Sequence, residues 1–282
     1  LQKKVFSLPS IKKQSRMIID FHTHCFPDDL ASKAISSLEA SSGIKAYRSG
    51  TLDGLMQSMD EAGIDLSVIL PIAAKPKHMH TVNDIAIAND KLPRLLSFGS
   101  VHPDAEDWRE ELTRIAEAGL KGIKLHPDFQ GIDLDDKRMV EVIAEAGKQG
   151  LLVIIHGGLD LSFKDYQRST PQKLSNIIPE IRGTKMIVAH SGGFAFLDDV
   201  ERLLVNIDEV YIDTSYSIGY REMDTTQLKR IYNKMNPQHI LFGSDSPWDS
   251  QKRALRLIGN LGLDDNLLEG ILYKNAQTLL GL

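Results

Sequence analysis

With 282 residues the chain is long enough to bury a full core, and its 33 Lys+Arg against 38 Asp+Glu give a net charge of −5 with no basic block. Nucleic acid, whose phosphates call for clustered Lys and Arg, is therefore not expected as a partner. The single cysteine, Cys25, can form no intramolecular disulfide, so the expected compartment is cytoplasmic, and no apolar run reaches the ~18–20 residues that span a bilayer.

Residues 1–16 carry four lysines and one arginine, are too polar for a secretory signal, and read as an exposed extension. From residue 17 onward, short apolar segments rich in β-branched residues recur: MIIDFH (17–22), DLSVIL (65–70), LLSFGSVH (95–102), KGIKLH (121–126), LLVIIH (151–156), KMIVAH (185–190), EVYIDT (209–214) and HILFGSD (239–245). Continuous apolar runs of this length fit strands buried on both faces of a parallel sheet. Amphipathic patterns lie between them, at 51–63, 104–119, 135–147 and 196–207. Two of these close with Glu-Ala-Gly, placing Gly63 and Gly119 where a left-handed residue ends a helix. Eight βα units predict an α/β fold of the (β/α)8 TIM-barrel type, with residues 17–282 as one domain. The first connection, from Cys25 to about Asp65, is elongated and carries an extra helical pattern, DDLASKAISSLEAS.

In such a barrel the chemistry sits at the C-terminal ends of the strands. His22, His102, His126, His156 and His190 each end an apolar run, His24 lies two residues beyond His22, and Asp245 ends the eighth run. A lone histidine at a strand end is commonly just a satisfied polar residue; six of nine at one rim call for a common ligand. Imidazole and carboxylate together suit a divalent metal, which can activate water. His239 starts its strand and belongs at the opposite end. His-Met-His at 78–80 falls in a Pro/Lys-rich loop and is taken as incidental.

His-Thr-His ending the first strand, His156 ending the fifth, His190 ending the sixth and Gly-Ser-Asp245 ending the eighth resemble the metal signature of the amidohydrolase superfamily. GIKLHPDFQG, AHSGG and FGSDSPW are similar in particular to its amidohydrolase-related branch, which holds small-molecule hydrolases and metal-dependent decarboxylases of the aminocarboxymuconate-semialdehyde type. The resemblance implies His22, His24, His156 and Asp245 as metal ligands, with His190 either a further ligand or a group that polarises water or substrate. It implies a divalent ion, zinc first and manganese or iron as alternatives, and catalytic roles for His190 and Asp245. Lys124 is either a carboxylated bridge between two metals or an unmodified cation for a substrate carboxylate, and a single metal is expected. His126 and His102 either line the pocket or cap their strands. Asp160, Tyr166, Asp213 and Trp248 are within reach of a ligand, with Trp248 as a pocket wall, and Cys25 reads as a packing residue. The expected activity is hydrolysis of a small carboxylated or cyclic metabolite by metal-activated water. The alternative is non-oxidative decarboxylation on the same site, for which Arg48 or Arg221 could supply a cation at the mouth. A homodimer is a family expectation. A metal-dependent nuclease would share the barrel, but it calls for a Glu where Lys124 stands.

Overall fold

The computed structural model describes residues 17–282, and the N-terminal extension expected at 1–16 lies outside the described residues. Each expected apolar segment contains a strand: β1 (Ile19–Thr23), β2 (Leu66–Ile69), β3 (Leu95–Ser97), β4 (Gly122–Leu125), β5 (Leu152–Ile155), β6 (Met186–Val188), β7 (Val210–Asp213) and β8 (Ile240–Leu241). All neighbouring pairs are parallel, in two arcs ordered β1-β2-β3 and β4-β5-β6-β7-β8. Two isolated parallel bridges join the arcs, Gly99 with Ile123 and Thr23 with Ser246, and the barrel is closed. The seam between β1 and β8 is held by Phe21 N–H donating to Phe242 O at 2.8 Å and His24 N–H to Ser246 O at 2.6 Å.

Side chains alternate across each strand, so one set faces the helices and the other the barrel interior. On β4 and β5, Ile123, Leu125, Val153 and Ile155 belong to the large outer core, while Leu152 and Ile154 join Ile19, Phe21, Val68 and Phe98 in a smaller inner cluster. By the same alternation Lys124 and the residues just past the strands, His126 and His156, are directed inward. Burying a full aliphatic or aromatic side chain contributes about 1.5–3 kcal/mol, and the strands are mainly apolar, with Asp20, Ser67, Ser97 and Lys124 as buried polar exceptions.

The extra helix of the first connection is present as α1 (Asp28–Ser42), followed by α2 (Leu52–Ala62). The Thr51 side chain caps α2 by accepting from Gly54 N, and Gly63 ends it at φ 71°. Gly119 takes the same left-handed form at φ 90°. Two expectations change. The pattern at 196–207 forms helix only over Leu197–Leu203. His80 lies within a helix, Met79–Asn89, where its ring is pinned between Asp107 and Glu111 rather than in a loop.

One glycine is dictated by backbone approach. A Cβ on Gly158, at φ 87°, would lie 2.3 Å from Phe194 O and 2.4 Å from Phe194 N, where the turns after β5 and β6 form a bridge. Gly158→Ala is expected to lower the thermal midpoint by several degrees, since strain of this kind costs of order 1–3 kcal/mol. An unchanged midpoint in a melting curve would mean that the two turns can separate freely.

Candidate metal centre

The register between β1 and β2 shifts between Asp20 and Thr23, so the end of β1 departs from regular alternation. Asp20 is clamped by Ser244 N–H and Oγ at 2.9 and 2.6 Å and by Gln251 Nε2 at 2.8 Å. Beyond it, His22 and His24 meet at the mouth with their Nε2 atoms 3.1 Å apart and their rings inclined at 73°. Asp245, at φ 69°, brings Oδ1 to 3.4 Å from His22 Nε2 and 3.2 Å from His24 Nε2.

The tautomers follow from the outer partners. His22 Nδ1 donates to Asp213 Oδ2 at 2.7 Å, and His24 Nδ1 donates to the Leu70 carbonyl at 2.8 Å. Burial pushes the His22 imidazolium down to about 4, against the pull of Asp213, so the ring is neutral and its Nε2 holds a bare lone pair. Burial alone would raise the Asp213 carboxyl, but His22, His190 and Ser215 outweigh it and hold the group below the ordinary carboxylate range. Burial likewise raises the Asp245 carboxyl, but His24, His22 and His190 outweigh it and hold the group at about 2. His22 Nε2, His24 Nε2 and Asp245 Oδ1 thus converge on one point. A metal at ~2.1 Å from each donor sets neighbouring donors at roughly 3.0 Å in octahedral and 3.4 Å in tetrahedral geometry, and the observed spacings of 3.1, 3.2 and 3.4 Å fit that range. Their donor set therefore fits a divalent cation.

Asp213 is the hub behind this triad. Besides His22 it accepts His190 N–H at 3.1 Å and Ser215 N–H at 3.0 Å, and the Ser215 Oγ lies 3.0 Å from His190 Nδ1. Asp213→Asn is expected to weaken metal binding by roughly 10–100-fold, the usual cost of losing a carboxylate behind a ligating histidine. Metal titration against a competing chelator measures it; an affinity equal to wild type would remove Asp213 from the orienting role.

His156, expected with the triad, groups instead with His126 and Asp160 as a second set of potential ligands. His190, held at φ 59°, directs Nδ1 to Ser215 O at 3.2 Å, so that its Nε2, 3.1 Å away, accepts from His156 Nδ1. The remaining nitrogen, His156 Nε2, is buried without a hydrogen-bond partner. His126 stacks on His156 at 4.4 Å and places Nε2 3.3 Å from Asp160 Oδ2.

These groups line a cavity of about 250 Å³ that also takes in Lys124, Trp248, Phe26, Phe129, Phe194 and Tyr216, with Leu38 and Ile44 from α1 and the segment after it. Lys124 is 1 % exposed and its ammonium makes no hydrogen bond among the described residues. Burial pushes it down to about 8, against the carboxylates of Asp213, Asp245 and Asp160. The remaining sequence candidates lie elsewhere. Tyr166 is 51 % exposed and bonds Asp133. His102 accepts from Asp104 N–H as a cap. Arg48 pairs with Glu61, Arg221 is exposed, and neither lines the cavity. Cys25 packs at the edge of the core, its thiol raised to about 12 by burial. Sequence reasoning missed Tyr216 and the Phe walls, because nothing in the pattern separates a cavity aromatic from a core one.

His239 lies at the far end of the barrel, stacked on Tyr211 at 4.0 Å with Nδ1 bonded to Val210 O. His239→Ala is expected to leave the metal content unchanged in elemental analysis; a loss would place metal at the wrong rim.

A family model described as Amidohydrolase matches residues 19–282. No curated protein matches the sequence. Among solved structures, the chain is similar to 5-carboxyvanillate decarboxylase from Sphingomonas paucimobilis, with TM-score 0.71, 16% identity, and 95% of this chain and 100% of that one covered. A dihydroxybenzoic acid decarboxylase from Polaromonas with bound manganese and the inhibitor 2-nitroresorcinol gives 0.70 and 15%, covering 95% and 97%. A probable 2-pyrone-4,6-dicarboxylic acid hydrolase from Acinetobacter baumannii with bound citric acid gives 0.64 and 18%, covering 94% and 99%.

Proposed function

The chain belongs to the amidohydrolase family, and from that premise we propose that it is a metal-dependent lyase that removes carbon dioxide from a small carboxylic acid. The observation that carries the reading is Lys124, a cation without a hydrogen-bond partner among the described residues, at a cavity whose other walls are mainly apolar and aromatic. A carboxylate is the group that such a cation, next to a metal, would bind. The decarboxylases from Sphingomonas paucimobilis and Polaromonas to which the chain is similar support this choice.

The ion would be held by His22, His24 and Asp245, with the bare Nε2 of His156 as a fourth candidate donor. Zinc is the expected ion, and the manganese of the Polaromonas protein makes that metal the first alternative to load. When bound, it supplies positive charge to oxygens of the substrate on which negative charge builds as the bond to carbon dioxide breaks. Lys124 orients the departing carboxylate. The aromatic walls exclude water, which would otherwise stabilise the starting carboxylate more than the dispersed charge that follows. The carbon that loses carbon dioxide must gain a proton, and the Lys124 ammonium, which makes no hydrogen bond among the described residues, would hold it at the cavity wall.

Hydrolysis is the second reading, favoured by Asp245: Oδ2 makes no hydrogen bond among the described residues and could accept the proton of an attacking water. One assay separates the two. The metal-loaded protein is given unsaturated and aromatic acids, lactones and amides in 18O-labelled water. Carbon dioxide release supports the lyase; an acid product carrying 18O from a lactone or amide supports the hydrolase and overturns it.

A further inference from the structure

We propose that residues 28–46, helix α1 and the turn after it, form a lid that swings off the cavity as one body, hinged at Pro27 and Tyr47 and latched by Ser41 to Ser162. The inference holds whichever reaction the site performs. The chain leaves the barrel and returns to it at one place: Phe26 N–H donates to Gly50 O at 2.8 Å, and Tyr47 N–H to Pro247 O at 2.7 Å. A surface excursion whose ends are joined in this way can move without disturbing the strands it springs from.

What lies between the anchors is bonded mainly to itself. Glu39 accepts from Ala46 N–H at 2.9 Å and from Lys45 Nζ at 2.6 Å, while Ser42 Oγ accepts from Ile44 N–H at 3.1 Å. The turn through Gly43, at φ 78°, is thereby carried by the helix. Against the barrel the hold is slight. Only Ala31 of the fifteen residues of α1 is buried, whereas the eleven of α2 bury Gly54, Leu55, Ser58 and Met59. Ile35 is the pivot, seated so closely on Gly50 that a Cβ there would lie 2.7 Å from its Cδ1.

The free edge of this body covers the site. Leu38, Ser42 and Ile44 line the cavity that holds the metal triad, and on the facing side Asp160, Leu161 and Ser162 line it from the loop after β5. Ser41 Oγ lies 3.0 Å from Ser162 Oγ, and among the described residues no other hydrogen bond joins 28–46 to the rest of the molecule beyond Pro27. An exposed bond between two neutral hydroxyls is readily exchanged for water. A segment with so little buried surface belongs to the low-stability end of a fold, from which cavity lids are drawn.

The test locks the latch. Ser41→Cys/Ser162→Cys brings two thiols within disulfide reach, and Cys25, packed at the edge of the core, is the only native thiol. Diethyl pyrocarbonate, a small reagent that acylates neutral imidazole, is applied to the oxidised and reduced forms of the full chain without added metal, and mass spectrometry locates the acylated residues. His24 and His156, which line the cavity, are expected to react about tenfold or more slowly in the oxidised form and to recover on reduction. The exposed His78 reacts equally in both. Equal rates for the cavity histidines in the two forms overturn the proposal. Should the disulfide not form, hydrogen exchange in wild type decides: the amides of α1 are expected to exchange about tenfold or more faster than those of α2, and equal protection overturns the lid. Neither readout needs a substrate, so a protein that releases carbon dioxide from no acid would reject the lyase reading and leave this inference standing.

Discussion

Asp245→Asn empties the metal site while leaving the barrel folded. Wild type is expected to carry about one equivalent, and the variant less than about a tenth of that, by elemental analysis after identical loading. The exchange is nearly isosteric, and Asn tolerates the left-handed backbone of this position, φ 69°, as well as Asp does. The electrostatics invert. An amide N–H would point at the lone pairs of His22 and His24, now 3.4 and 3.2 Å from Oδ1, and could satisfy both without an ion. Loss of the negative charge and gain of an internal donor act in the same direction, so the effect exceeds that of Asp213→Asn, which leaves all three ligands in place. Wild-type metal content in Asp245→Asn would remove the triad from the account. His22→Ala/His24→Ala, which deletes two donors outright, gives the same result if the assignment holds.

Lys124→Met is the complementary experiment, because it should spare the metal and sharply lower turnover. Met matches the stem of Lys in an interior that already holds Leu152 and Ile154, so the fold should tolerate it, and removal of a buried ammonium without hydrogen bonds should not lower the thermal midpoint. Under the lyase reading kcat/KM falls by roughly 10²–10³, the scale for removing one charge-stabilising donor from a water-poor site. Metal content separates the two roles that the sequence allows for this residue. A fall from two equivalents to one would make Lys124 a carboxylated bridge; one equivalent in both proteins with unchanged kcat/KM would remove it from substrate binding.

Much of this arrangement is legible in the sequence because it depends on local rules. Each strand is announced by a short aliphatic run, and the helix ends at Gly63 and Gly119 by residues that accept positive φ. The rim histidines and Asp245 stand out because a polar residue closing an apolar run has few other reasons to be there. The limits are equally physical. The alternation that predicts a shared face for His22 and His24 does not run undisturbed through β1, whose register shifts, and they converge because Asp213 and Leu70 orient their rings. Tyr166 and Asp160 follow the same strand with equal promise, but only Asp160 turns into the cavity, since Tyr166 is drawn outward by Asp133 and Lys173. Tyr216 could not be read at all. Its place depends on Tyr220, Arg253 and Asp249, contacts across 33 residues or fewer that no local pattern encodes.

The seam between β1 and β8 has a consequence for how the molecule holds together. His22 and His24 lie on the three-stranded arc and Asp245 on the five-stranded one, so the three donors straddle the line along which the barrel is closed by few bonds. An ion shared among them is a rivet as well as a reagent. The work of opening the cylinder along that line then includes the work of pulling the ion out, and the chemistry at the mouth and the mechanical integrity of the wall become a single quantity.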